Sequence, residues 1–139
     1  MQRRTNHPRR QRGFTLVEIM IVLVLIALLG GLVAPRLLGK LQSGQAKAAK
    51  AQIDRLGMAV ETYYLDTGRM PSSLQDLVSN SGASNWNGPY IKESSLKDPW
   101  GNPYHYQQPG QHGDYDIVSY GADGAPGGEG SARDITSWE

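Results

Sequence analysis

Two groups of residues have types and spacings that suit chemistry. The first is Glu18, a lone carboxylate inside the apolar run of "RGFTLVEIMIVLVLIALLGG", Arg12 to Gly31. A carboxylate in a lipid-like environment is costly unless it is paired or reaches water. Glu18 lies only five positions into the run, so snorkelling toward headgroups is one solution. The other takes Gly13 as a cut point. Cleavage after Gly13 leaves Phe14 as a new N-terminus with a positive amine about one helical turn from Glu18, and the amine of a neighbouring subunit becomes the natural counter-ion. In that reading the glutamate sets the register of a polymer.

The second group is Asp123, Glu129 and Asp134, in the glycine-rich C-terminal stretch "SYGADGAPGGEGSARDITSWE". They place hard oxygen ligands around a loop whose glycines let backbone carbonyls turn inward, as calcium coordination by six to eight oxygens requires. The spacing is not that of an EF-hand. "GGEGSA" also departs from the Gly-Gly-x-Gly-x-Asp calcium repeat, because Ala132 stands where the aspartate belongs. Apolar burial alone cannot hold such a segment. Its alternatives are a metal staple, docking through Ile135 and Trp138, or disorder.

Other chemistry finds little support. His105 and His112 sit near a turn with no cysteine or further histidine at zinc-ligand spacing, so they are read as surface or packing residues. Ser72, Ser73 and the histidines give no interpretable hydrolase triad. No phosphate loop is present. Trp100, Tyr104 and Tyr106 are read as core packing. The chain has no cysteine, so no disulfide can brace it.

These residues need elements to position them. The 139 residues suffice for one domain beside an apolar N-terminal segment. Net charge is +1, yet Arg3, Arg4, Arg9, Arg10 and Arg12 precede the apolar run, and the remainder carries nine basic and thirteen acidic side chains. Arginines flanking such a run orient a membrane span with its start in the cytoplasm, and this excludes nucleic acid as the favoured partner. Phe14 to Val33 is long enough to cross a bilayer as a helix. A cleaved secretory signal would be shorter and end in a small-x-small site, for which "GLVAPRLLG" is poor.

Gly30, Gly31 and Pro35 lower helix stability near the end of the run and mark a place to bend or unwind. Beyond it Ala49, Ile53, Leu56, Val60 and Tyr64 form an apolar stripe, predicting an amphipathic continuation to about Asp66, stopped by Gly68 and Pro71. Serine caps predict a short helix at 74–78. Strands are expected near 104–107 and 115–119, joined through a 109–113 turn, with two or three short strands in all.

"RGFTLVEIMIVLVLIALLGGLVAP" resembles the N-terminus of type IV pilin-like proteins, with a short basic leader, Gly-Phe, then Thr-Leu-Val-Glu and a long apolar helix. The resemblance implies that a membrane aspartyl protease, the prepilin peptidase, cuts after Gly13 and methylates Phe14, with Glu18 as the assembly glutamate. "DPWGNPY" (98–104), "YDIVSYGADG" (115–124) and "DITSW" (134–138) are similar to the major pseudopilins of type II secretion systems, over nearly the whole chain apart from a shortened segment around 79–95.

That likeness implies an α+β fold: a long N-terminal helix packed on a small domain with a short helix, an antiparallel sheet of two or three strands and a C-terminal calcium loop. It implies a leader at 1–13, a membrane or filament-core helix at 14–35 and a periplasmic domain at 36–139. Calcium would be held by the side chains of Asp123 and Asp134 and by carbonyls such as those of Tyr120 and Ala125. Relatives often carry acids at the positions of Gly130 and Ala132, leaving Glu129 or Ser131 as substitutes here.

The implied role is structural and not enzymatic: a single-pass inner-membrane precursor that polymerises into a periplasmic pseudopilus, helping to drive folded proteins across the outer membrane. Its implied partners are further copies of itself, minor pseudopilins, the inner-membrane assembly platform, the prepilin peptidase and the membrane. The alternatives are a type IV pilin for adhesion, motility or DNA uptake, and a membrane-tethered calcium-binding monomer.

Overall fold

The computed structural model describes residues 12–139. Helix α1 spans Leu16–Thr67. Thr15 caps its start, its Oγ1 accepting the Glu18 N–H at 3.2 Å and so satisfying one of the first-turn donors. The helix ends where Gly68 takes a positive φ of 74° and its N–H donates to the Tyr64 carbonyl at 2.8 Å. That is the left-handed cap for which glycine is suited. Gly30, Gly31 and Pro35 all lie within the helical span. Proline has no N–H, so one hydrogen bond of the ladder is missing there although the helix continues.

The chain forms two units, divided between Leu38 and Gly39. In the first, the apolar side chains from Leu16 to Leu38 are exposed. In the second, α1 buries Ala49, Ile53, Leu56, Ala59, Val60 and Tyr63. The expected stripe is corrected at its end: Tyr63 is 1% exposed, whereas Tyr64 is 46% exposed. Tyr63 lies fourteen positions after Ala49, nearer to four turns of about 3.6 residues than Tyr64 does.

The predicted short helix is a 3-10 turn, Leu74–Leu77, which buries both leucines. Asp76 reaches back to its start, accepting the backbone N–H groups of Ser72 at 2.8 Å and Ser73 at 3.3 Å. A second 3-10 turn covers Glu93–Leu96. Between them Tyr90 packs edge-on to Tyr63 and to Trp86, with ring centroids 5.7 Å apart in each pair.

Three short strands form one antiparallel sheet: β1 (His105–Gln107), β2 (Asp116–Ser119) and β3 (Ile135–Thr136), in the order β1-β2-β3. Tyr106 is opposite Ile117, and Val118 opposite Thr136. The β1–β2 turn wraps around Asp116, whose carboxylate accepts the N–H groups of Gln111 at 2.8 Å and His112 at 3.3 Å. Gly110 is required in this turn, since a Cβ there would lie 2.7 Å from the Tyr115 carbonyl carbon. Tyr104 is buried, and Trp100 and Tyr106 pack against the core as expected. Burial, reinforced by the charges of Tyr115 and Asp76, pushes the Tyr106 hydroxyl up to about 12.

Candidate functional site

At the N-terminal end Gly13, Phe14 and Glu18 are exposed, and Phe14 is 84% exposed just before the first turn of α1. Thr15 fixes the backbone of Glu18, so the helix begins between the expected cut point and the glutamate. The helix is long and apolar enough to cross a membrane. Placing a carboxylate on this exposed apolar surface calls for a partner from outside the chain or for water.

The C-terminal loop leaves β2 at Ser119 and returns to β3 at Ile135. It carries two 3-10 turns, Gly121–Asp123 and Gly130–Ala132, which lie against each other. Two glycines are explained by close backbone approaches, Gly121 where the two turns meet and Gly128 where the chain closes onto the second turn. A Cβ on Gly121 would lie 2.8 Å from the Ser131 carbonyl oxygen, and one on Gly128 would lie 2.5 Å from that of Ala132. The first turn closes through Gly124, at φ 64°.

The sequence-predicted ligands are distributed over both limbs. Asp123 Oδ1 accepts the Ala125 N–H at 3.1 Å, and Asp134 Oδ2 accepts the Gly127 N–H at 2.9 Å. Asp134 Oδ1 is buried with no hydrogen-bond partner. A buried carboxylate oxygen without a donor is destabilising unless a cation or water fills the role. This orphan oxygen, beside carbonyl-rich glycine turns, fits a hard cation.

Glu129 does not complete a three-carboxylate cluster: among the described residues no three His, Cys, Asp or Glu side chains gather at metal-binding distance. Its carbonyl instead accepts the Ala132 N–H at 3.0 Å, opening the second 3-10 turn that contains Ser131. Tyr120 packs its ring against His105 at a tilt of 40°, with centroids 4.3 Å apart.

The loop is docked at its C-terminal end. Ile135 is buried, and Trp138 stacks on His112 with ring centroids 3.8 Å apart. His112 also places Nδ1 3.1 Å from Asp116. His112 is therefore a packing residue, and Ile135 and Trp138 are the anchors expected of them. Sequence reasoning missed a support behind the loop. Buried Asp98 accepts the Ser119 hydroxyl at 2.6 Å, and the Asn102 side-chain amide donates to the Gly121 carbonyl at 2.8 Å. The available signal was Asp-Pro-Trp-Gly-Asn, a turn sequence with a buried-type aromatic in its middle.

Comparison with known proteins decides the family. Residues 36–138 match the family described as Type II secretion system (T2SS), protein G, and residues 8–34 match the prokaryotic N-terminal methylation motif. The chain belongs to the type II secretion system protein G family.

The type II secretion system core protein G of Xanthomonas campestris pv. campestris is 46% identical over 134 residues, covering 94% of each chain. The core protein G of Pseudomonas aeruginosa is 39% identical, covering 94% of this chain and 97% of its own. The crystal structure of the major pseudopilin from the type 2 secretion system of enterohaemorrhagic Escherichia coli aligns with a TM-score of 0.61. It is 32% identical and covers 75% of this chain and 95% of its own. The long helix followed by a three-stranded antiparallel sheet is thus the fold of a major pseudopilin. The role of this protein G family member is that of a structural pseudopilus subunit in type II secretion.

Proposed function

We propose that the chain is made as an inner-membrane precursor, cut after Gly13 by the prepilin peptidase, methylated at Phe14, and assembled into a periplasmic pseudopilus. In this reading 1–13 is the leader, 14–35 the span and filament core, and 36–139 the periplasmic domain. The observation that carries it is the exposed apolar surface of α1 with one carboxylate, Glu18, a turn beyond Gly13 and Phe14. In the membrane, lipid covers that surface; in the filament, neighbouring copies do. Glu18 then meets the Phe14 amine of the next subunit, which spares its charge from desolvation without a partner. The inner-membrane platform and minor pseudopilins start and support the polymer. The adhesion, motility or DNA-uptake alternative is less favoured, because the relatives matched over the full chain are secretion-system proteins.

The same reading includes calcium as the staple of the cysteine-free C-terminal loop. Asp123 and Asp134 supply charge, carbonyls such as those of Tyr120 and Ala125 supply further oxygens, and Glu129 or Ser131 stand in for the missing acids. The buried, unpartnered Asp134 Oδ1 supports it.

Glu18→Ala tests the assembly reading. The variant is expected to be processed, giving a mature mass that begins at methylated Phe14, but to form no filaments detectable by shearing or electron microscopy. Normal filaments from the variant would reject the pairing.

A further inference from the structure

Asn102 lies outside the glycine-rich loop, and its side chain is tied to that loop at one point. We infer that Asn102 and Ser119, both anchored on Asp98, are positioning residues that preform the 120–134 loop and set its calcium affinity. The inference rests on the calcium reading above.

The anchor is the buried carboxylate of Asp98. Asp98 Oδ1 accepts the N–H groups of Trp100 at 3.1 Å and Asn102 at 2.8 Å, and Oδ2 accepts the Ser119 hydroxyl at 2.6 Å. The Asp98 N–H donates to the Asn102 carbonyl at 2.8 Å, which closes the 98–102 turn on itself. Asn102 therefore leaves a braced turn, and its Nδ2 donates to the Gly121 carbonyl at 2.8 Å. On the other side of the same peptide residue, the Gly121 N–H donates to Ser119 Oγ at 3.3 Å. Both backbone polar groups of Gly121 are held by the side chains of two residues bonded to one carboxylate, Asn102 through its backbone N–H and Ser119 through its hydroxyl.

Gly121 is also where the two limbs of the loop cross. Besides Ser131 O, a Cβ there would lie 2.9 Å from the Ala132 carbonyl carbon and from the Arg133 carbonyl oxygen, and φ is 71°. Fixing this glycine fixes both the limb that carries Asp123 and the limb that leads into Asp134. The Asn102 amide further lies 3.3–3.4 Å from the place of a Gly124 Cβ, bracing the turn that follows Asp123. None of these contacts uses a metal. The Gly121 carbonyl accepts both the Asn102 amide at 2.8 Å and the Gly124 N–H at 3.4 Å, so both its lone pairs are engaged and it acts as an anchor and not a ligand. A loop ordered before the ion arrives gives up less conformational entropy on binding, and affinity rises accordingly.

The test titrates calcium chloride into the full chain in detergent by calorimetry, and follows thermal unfolding in chelator and in calcium. Asn102→Ala is expected to weaken calcium about tenfold, the worth of one lost buried hydrogen bond, and to shrink the calcium-induced rise in Tm. Ser119→Ala, which removes no volume of consequence, is expected to weaken it severalfold and carries the test if the first variant does not fold. Asp76→Asn is the control for simple destabilisation: it should lower Tm in both conditions and leave the calcium Kd unchanged. Asp123→Ala and Asp134→Ala report on the site itself. Loss of calcium binding in those two, with wild-type Kd in the Asn102 and Ser119 variants, overturns this inference alone. Absence of calcium binding by the unaltered chain overturns the calcium reading and this inference with it.

Discussion

Asp76 and Asp116 are buried carboxylates whose acidity the fold has increased. Asp76 accepts the Ser72 N–H at 2.8 Å, the Ser72 hydroxyl at 2.7 Å and the Ser81 hydroxyl at 2.6 Å. Burial by itself pushes its pKa up, but these bonds to the ionised form outweigh that, and the net shift is downward. Asp116 is lowered in the same way: burial opposes, and the Gln111 and His112 donors prevail. A native pKa below the unfolded one adds stability above the unfolded value, and that stability is lost as pH falls through the native value. Asp76→Asn presents an amide to donors that need an acceptor. It is expected to cost about 2 kcal/mol at neutral pH. The gap from wild type should narrow below about pH 4, where the wild-type carboxylate also becomes protonated. Thermal unfolding of the full chain in detergent from pH 7 to pH 3 measures it; a gap that widens in acid contradicts the assignment.

Helix α1 contributes its domain-facing side through a stripe that closes on Tyr63, and this register has an unequal consequence for adjacent tyrosines. Tyr63→Ala removes a buried ring that packs on Tyr90 and should cost about 3 kcal/mol or more. Tyr64→Ala removes a half-exposed ring and should stay within about 0.5 kcal/mol. Equal losses in a pair of melting curves would show the stripe to be misplaced. The helix was legible because its period, its glycine stop and its apolar run are local signals, and the error of one residue came from extending a 4-3-4 pattern by four where the helical period calls for three. Strands β1 and β2 were legible from the hairpin punctuation around them. The placement of β3 was not: a two-residue strand is defined by its partner across a long loop. Its edge is secured by Ser137, whose N–H donates to the Ile117 carbonyl at 2.9 Å while its hydroxyl accepts the Ile117 N–H at 3.0 Å. The candidate site was half legible. Asp123 and Asp134 stand out as charges among glycines, but Asn102 looks like any turn asparagine until the fold brings it to Gly121.

At the scale of the whole molecule, the proposed function gives each unit an outside partner. The first unit exposes apolar side chains from Leu16 to Leu38, which the proposed function covers with lipid or with like helices. The second has no disulfide, a small core and a C-terminal loop docked at its C-terminal end and held by Asn102. A ligand that binds only the folded state stabilises it by about 2.7 kcal/mol at a hundred times its Kd. For a domain of about 100 residues that is a rise in Tm on the order of 10 °C or more. Calcium is therefore expected to raise the Tm of the full chain by that order over chelator, with the rise abolished in Asp123→Ala and in Asp134→Ala. Glu18→Ala, which alters only the first unit, should keep the whole rise while losing filaments. If calcium response and assembly instead fail together in Glu18→Ala, the metal acts through contacts between subunits and not by closing the loop of each one.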